Sequence, residues 1–401
     1  MWVNNIVIEL YLLHTFYYRE PIESTGNLSV SRAKRACKKF EIKEGGDFPL
    51  ISDQMKLSDH LSVTKVYDKT ALISVGTISL SQTYGAFINE KSLEITNATI
   101  KLPYSRLNNS VHSFEVIKPY AVTLGSQGGL TFGKFIDHYF HYCSQLHINT
   151  ASSIPSMNLS IGRLLATDKK AFYVPVESDW QTCIDKDHMP KDDCTMVIRI
   201  PADAIDILPL QITDDQQTTN LDTIMTQFTA MTKSLTVDSR IVDLQTTKNR
   251  LVIISIDCVT IANTKDMRVI CKAKFEGQAL DCSIATSKTV YCSMGNKIVA
   301  LSMSTLRHVA EYISDMPEKR RNMFVINTPY GRCQFVGVLV DDEPSVRILC
   351  HARKMMWLVA EQKIVVGSNK RSFHALYLKQ TKRIVICNEF RKSCYFDLIF
   401  K

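Results

Sequence analysis

The chain has 401 residues, 45% of them hydrophobic and 22% charged, which excludes global disorder and leaves ample apolar material for a large core. Lys and Arg total 48 against 40 Asp and Glu, giving a formal charge of +8. That mild excess permits an acidic partner without demanding one, and the sequence pI of 8.8 falls short of the range that marks a dedicated nucleic-acid binder.

Residues 1–54 read as an N-terminal extension. Its opening apolar run has no preceding basic residue and is interrupted by Glu9, which argues against a signal peptide. No later stretch reaches the 18 or so apolar residues of a membrane helix. Within the extension, Arg32, Lys34, Arg35, Lys38 and Lys39 place five cations in eight residues. The plain expectation is a solvated helix face over 29–40. The sharper one is a contact patch for a partner or a nucleic acid, or a nuclear-import signal.

Beyond residue 54 the pattern is short β-rich runs separated by turns. Strand-like runs at 61–66, 70–75 and 77–80 recur at 111–116, 120–124 and 130–132, and again at 159–165, 171–176 and 180–184. Residues 196–200 then start what reads as a further unit. Between this unit and the next, Leu221, Ile224, Met225 and Phe228 have the i, i+3, i+4, i+7 spacing of a helix. Residues 214–233 are therefore expected to form a helical insertion between blades that packs on the body of the protein.

From residue 240 the rhythm is clearest. Runs at 241–244, 251–256, 259–262 and 267–270 are followed by 279–284, 289–293, 297–302 and 306–310, with Asp243 and Asp281 in corresponding places 38 residues apart. A third copy starts at 335–340 and a fourth at 373–378, and the polar stretch 317–322 between copies reads as an exposed loop. Turns every 8–12 residues indicate an all-β fold, and a period near 40 residues selects a propeller of four-stranded blades over a sandwich or barrel. The count comes to about seven blades over 55–401.

This rhythm resembles the WD-repeat family across roughly 55–401, although the family's Gly-His and Trp-Asp dipeptides do not stand at the expected places. The resemblance implies a ring whose last blade is closed by a strand from the N-terminal region. Residues 6–13 are the first choice for that strand and 48–51 the second.

The 12 cysteines include no C-x-x-C pair or zinc-ligand spacing, and several lie inside apolar runs. They read as buried thiols of a cytoplasmic or nuclear protein. The sequence has no phosphate-binding glycine loop, no dinucleotide fingerprint, no nucleophile elbow and no H-E-x-x-H. His138 and His141, three residues apart, suit a helix-borne metal pair but not a strand. No cofactor, metal or catalytic residue is assigned. The expected function is non-catalytic: a scaffold that binds partner proteins through the loops and faces of the propeller, within a multi-subunit complex and without a membrane. Two alternatives stand beside it. One is a polymerase sliding-clamp-like ring, with 305–313 as a helix. The other is an RNA-binding propeller that uses the 32–39 segment.

Overall fold

The structure is a computed structural model. It describes residues 40–47, 60–67, 70–77, 82–89, 100–101, 111–125, 129–136, 139–147, 165–176, 195–208, 218–277, 280, 282–314, 320–326, 333–340, 345–364, 373–378, 381–388 and 393–400. Among these, the strands form seven four-stranded antiparallel sheets. After β1 (Phe40–Asp47), the first sheet holds β2 (His60–Tyr67), β3 (Thr70–Thr77), β4 (Gln82–Asn89) and β5 (Ile100–Lys101). The second holds β6 (Val111–Ile117), β7 (Tyr120–Gly125), β8 (Gly129–Ile136) and β9 (Tyr139–His147). The third holds β10 (Ala166–Thr167), β11 (Ala171–Val176), β12 (Met196–Pro201) and β13 (Lys233–Thr236), and the fourth β14 (Ile241–Thr247), β15 (Arg250–Ser255), β16 (Cys258–Asn263) and β17 (Val269–Lys274). The fifth holds β18 (Cys282–Ala285), β19 (Thr289–Met294), β20 (Lys297–Ser302) and β21 (His308–Ile313). The sixth holds β22 (Arg320–Ile326), β23 (Gln334–Val340), β24 (Ser345–Ala352) and β25 (Met355–Lys363), and the seventh β26 (Phe373–Leu378), β27 (Arg383–Asn388) and β28 (Ser393–Phe400) with β1 outside it.

The first strand of each sheet packs beside the first strand of the next, from β2 and β6 through to β22 and β26. This is a seven-bladed β-propeller. The middle strands are predominantly apolar because both of their faces are covered by neighbouring blades. In β15, Leu251 and Ile253 pack toward the third sheet while Val252 and Ile254 pack toward the fifth. Full burial of each such side chain contributes about 1.5–3 kcal/mol. The outermost strands alternate exposed and half-buried residues, as in β17. A bulge recurs where the outer strand joins, at Ile261/Ala262, Ala300/Leu301 and Ile348/Leu349.

The repeat is also visible in hydrogen bonds. Asn263 N donates to Arg268 O and Met267 N to Asn263 O; Ser302 N donates to Arg307 O and Leu306 N to Ser302 O, each partner shifted by 39 residues. Met267 and Leu306 share a left-handed backbone, with φ of 60° and 52°. The pairing register corrects the expected alignment. Asp243 opposes Ile254 and Cys282 opposes Ser293, so Cys282 and not Asp281 corresponds to Asp243.

Five further expectations change. The closing strand is β1, paired antiparallel with β28; the two segments expected to supply it, 6–13 and 48–51, lie outside the described residues. The helix (α1, Thr218–Met231) and the 3-10 turn Ala202–Ile207 sit inside the third sheet, between its third and fourth strands, and not between blades. Residues 196–200 are accordingly that sheet's third strand and not the start of a unit. Residues 320–322 are not loop but the beginning of β22, so 335–340 is the second strand of its blade. The sliding-clamp reading also fails, because its helix at 305–313 is a turn followed by strand β21 and the sheets are radial four-stranded blades.

Candidate functional site

Buried polar side chains join the blades. On β14, Asp243 and Gln245 are buried, and Gln245 Nε2 donates to Asp243 Oδ2 at 2.6 Å. Ser283 Oγ on β18 donates to the same carboxylate oxygen at 2.7 Å, and Ala285 N donates to Gln245 Oε1 at 2.7 Å. One blade further on, Arg320 is 1% exposed. Its guanidinium donates to Gly295 O at 2.9 Å, Ser314 Oγ at 2.9 Å, Ser293 Oγ at 3.2 Å and Lys297 O at 3.3 Å, gripping the hairpin of the fifth sheet. Tyr173 reaches from the third blade to Thr264 O in the fourth at 3.0 Å, and Tyr291 from the fifth to His351 Nδ1 in the sixth at 2.7 Å. Burial pushes both phenols, and the Cys292 thiol, above their ordinary ranges, so all three stay protonated. These groups face neighbouring blades and act as joints that hold the ring rigid.

The exposed chemistry lies on the rim. Because the strands alternate in direction, the turns after first and third strands emerge on one face of the ring. Every first-to-second turn that the structure describes carries an exposed lysine: Lys118, Lys169 and Lys170, Lys248, Lys288 and Lys382. The third-to-fourth turns add exposed Lys265, Arg268, Arg307, Arg353 and Lys354. Hydrogen bonds stitch this face from blade to blade. Thr246 Oγ1 donates to Thr167 O, Lys233 Nζ to Lys265 O at 3.1 Å, and Arg250 Nη1 to Met303 O.

Ion pairs neutralise part of the surface charge on both faces, among them Lys134–Asp206 and Arg383–Asp397 at the hairpin face. On the opposite face Lys272 pairs with Asp238, which holds the Asp238 carboxyl below and the Lys272 ammonium above their ordinary values. Lys274 lies 3.9 Å from Asp257. On the hairpin face, no ion pair among the described residues involves Lys169, Lys170, Lys248, Lys288, Arg307, Arg353 or Lys354. Asp168 and Asp266 also lie there; the Asp168 carboxylate is occupied by the Lys170 and Ala171 amides and the Tyr173 hydroxyl, and Asp266 Oδ1 accepts from Arg268 N at 3.1 Å. Lys248, Arg353 and Lys382 stand at φ of 53°, 57° and 57°, where Gly or Asn is the unstrained choice.

The inserted helix α1 is anchored beside this face. Phe228 is fully buried edge-to-face on Phe132, with centroids 5.7 Å apart, and Ile224 and Met231 pack against the same cluster. Thr223, Thr226, Gln227 and Ala230 face solvent. Asp206, in the preceding 3-10 turn, pairs with Lys134 and accepts from Tyr120 Oη at 2.5 Å; these two contacts hold its carboxyl below the ordinary range.

Arg32, Lys34, Arg35, Lys38 and Lys39, the site residues expected from sequence, lie outside the described residues, as does His138. His141 falls on strand β9. Cys258, Cys282, Cys292 and Cys350 are buried thiols, and Cys271 and Cys333 are half-buried ones. Among the described residues no helix is long and apolar enough to cross a membrane.

No protein-family model and no curated protein matches the chain. Solved structures do. One is a chain of the mitotic checkpoint complex crystal structure, 8% identical with a TM-score of 0.53, the match covering 90% of this chain and 94% of that one. Another is KlHsv2 with loop 6CD replaced by a Gly-Ser linker, 8% identical with a TM-score of 0.52, covering 86% and 97%. At this identity the likeness shows the propeller fold alone.

Proposed function

We propose that the chain is a non-catalytic scaffold of the cytoplasm or nucleus that docks partner proteins on the hairpin face of its ring, inside a larger assembly. The observation that carries this reading is the set of exposed cations at the hairpin tips of successive blades, of which Lys169, Lys170, Lys248, Lys288, Arg307, Arg353 and Lys354 make no ion pair among the described residues. A rigid ring with stitched turns presents them at little ordering cost, which favours association. The buried polar groups are spent on inter-blade joints, so the chemistry available to a partner is at the surface. The match to a chain from a multi-protein checkpoint assembly supports the same reading. The basic segment 32–39 is proposed as a supplementary contact for a partner or a nucleic acid, because it leads directly into Phe40. That residue pairs with Phe400 at the hairpin-face end of the seventh sheet.

Native purification of the full chain with lysine crosslinking tests the reading. Stoichiometric protein partners, with crosslinks at Lys169, Lys248 and Lys288 and few at Lys272 and Lys274, are expected. A chain that purifies without protein partners and turns over a small substrate would overturn it.

A further inference from the structure

The outer rim of the hairpin face combines charge with exposed apolar side chains. Arg268, at the third-to-fourth turn of the fourth blade, is followed directly by Val269 and Ile270, which are 44% and 45% exposed. Two blades on, Arg353 and Lys354 are followed directly by Met355, which is 41% exposed. None of these apolar residues or cations is buried inside the ring: they sit on or before outermost strands, away from the buried middle strands. Toward the axis, Lys248 and Lys288 continue the positive surface without apolar neighbours of this kind.

We infer that this rim binds an acidic segment of a partner protein that also carries apolar side chains. The inference rests on the scaffold reading and adds the chemistry of the ligand. Carboxylates match the exposed cations, and aliphatic side chains cover Val269, Ile270 and Met355. A phosphate backbone would satisfy the cations and leave the apolar residues in water. Recognition of single-stranded RNA relies on aromatic platforms for the bases, and among the described residues the exposed large hydrophobics are all aliphatic. The apolar component adds affinity that salt does not screen, and the charge component steers encounter.

The test is fluorescence anisotropy with the full chain and three probes of equal length: a peptide alternating glutamate and leucine, poly-glutamate, and oligouridine. The glutamate–leucine peptide is expected to bind most tightly and to weaken as salt rises. Reversing Lys248→Glu, Lys288→Glu and Arg353→Glu together should cost about tenfold in affinity. Ile270→Ser with Met355→Ser should cost about fivefold or more. The control pair Lys272→Glu and Lys274→Glu, on the other face, should leave binding unchanged, with melting curves confirming that each variant is folded. Tighter binding of oligouridine than of either peptide would overturn the inference in favour of a nucleic-acid face. Equal binding of poly-glutamate, or indifference to the triple reversal, would overturn it as well. Protein partners that stay bound to the triple variant would remove this inference while leaving the scaffold reading intact.

Discussion

At the residue scale, the joints between blades make sharp demands. His351 Nε2 lies 2.9 Å from the Arg353 carbonyl, which can only accept, so the ring carries its proton there and Nδ1 accepts from the Tyr291 hydroxyl. Burial holds His351 below its ordinary value of 6.5. Between the folded and unfolded values the unfolded chain binds more protons, so this contribution is present above pH 6.5 and is lost as pH falls toward the folded value. His351→Phe, which keeps the ring against Tyr291, should flatten the fall in stability over that window. A nitrogen-15 spectrum showing the proton on Nδ1, or an unchanged acid limb, would contradict the assignment. Arg320 makes the second demand. Arg320→Met keeps the volume but removes the donor used by Gly295 O, Lys297 O and two serine hydroxyls, and should cost about 3 kcal/mol or more in chemical denaturation. A loss under about 1 kcal/mol would mean that water replaces it. This residue was illegible from sequence because it lies in the polar stretch Glu318-Lys319-Arg320-Arg321-Asn322, where pattern predicts solvent. The carbonyls and serine hydroxyls it meets on the neighbouring blade help make its burial tolerable.

At the element scale, legibility followed burial. Middle strands such as β15 and β19, covered on both faces, appear in the sequence as unbroken apolar runs bounded by turns, and their limits were read to within a residue or two. First strands line the axis and mix polar residues into the pattern, so β22 was missed and its blade read one strand out of phase. The helix α1 was legible from its apolar spacing, but its position inside a blade was not, because β12 and β13 pair across it and strand pairing has no local signal. Helix α1 has 14 residues, a length that is marginal in isolation. Its stability therefore depends on the anchor at Phe228 against Phe132. Phe228→Ala should cost about 3 kcal/mol locally, raising amide exchange across 218–231 while leaving β14–β21 protected. Exchange that rises equally in the fourth and fifth blades would show instead that the insertion is part of the cooperative core.

At the scale of the whole molecule, the candidate face was invisible in the sequence for a geometric reason. Its cations stand one or two to a turn, in turns far apart in the sequence, and only the ring gathers them, whereas the local run at 32–39 attracts attention by density alone. The same ring makes one strand carry global weight. In an open array of blades the terminal units fray, because each is stabilised mainly by its neighbours. Here β1 forms the outer edge of the seventh blade, with Ile42 packed on the cluster shared with the sixth and a ladder running from Phe40–Phe400 to Asp47–Cys394. Removing residues 1–47 leaves β28 as a bare edge and the seventh blade three-stranded, and an unprotected edge recruits other chains. The truncated protein should lose about 3 kcal/mol, exchange fastest in β26–β28, and associate with itself at high concentration. A synthetic peptide spanning β1 should restore both protection and solubility, since it supplies the missing ladder and the Ile42 contact. Rescue by a peptide carrying Ile42→Asp would show that backbone pairing alone closes the ring. An unchanged melting curve on truncation would show that β1 does not close it at all.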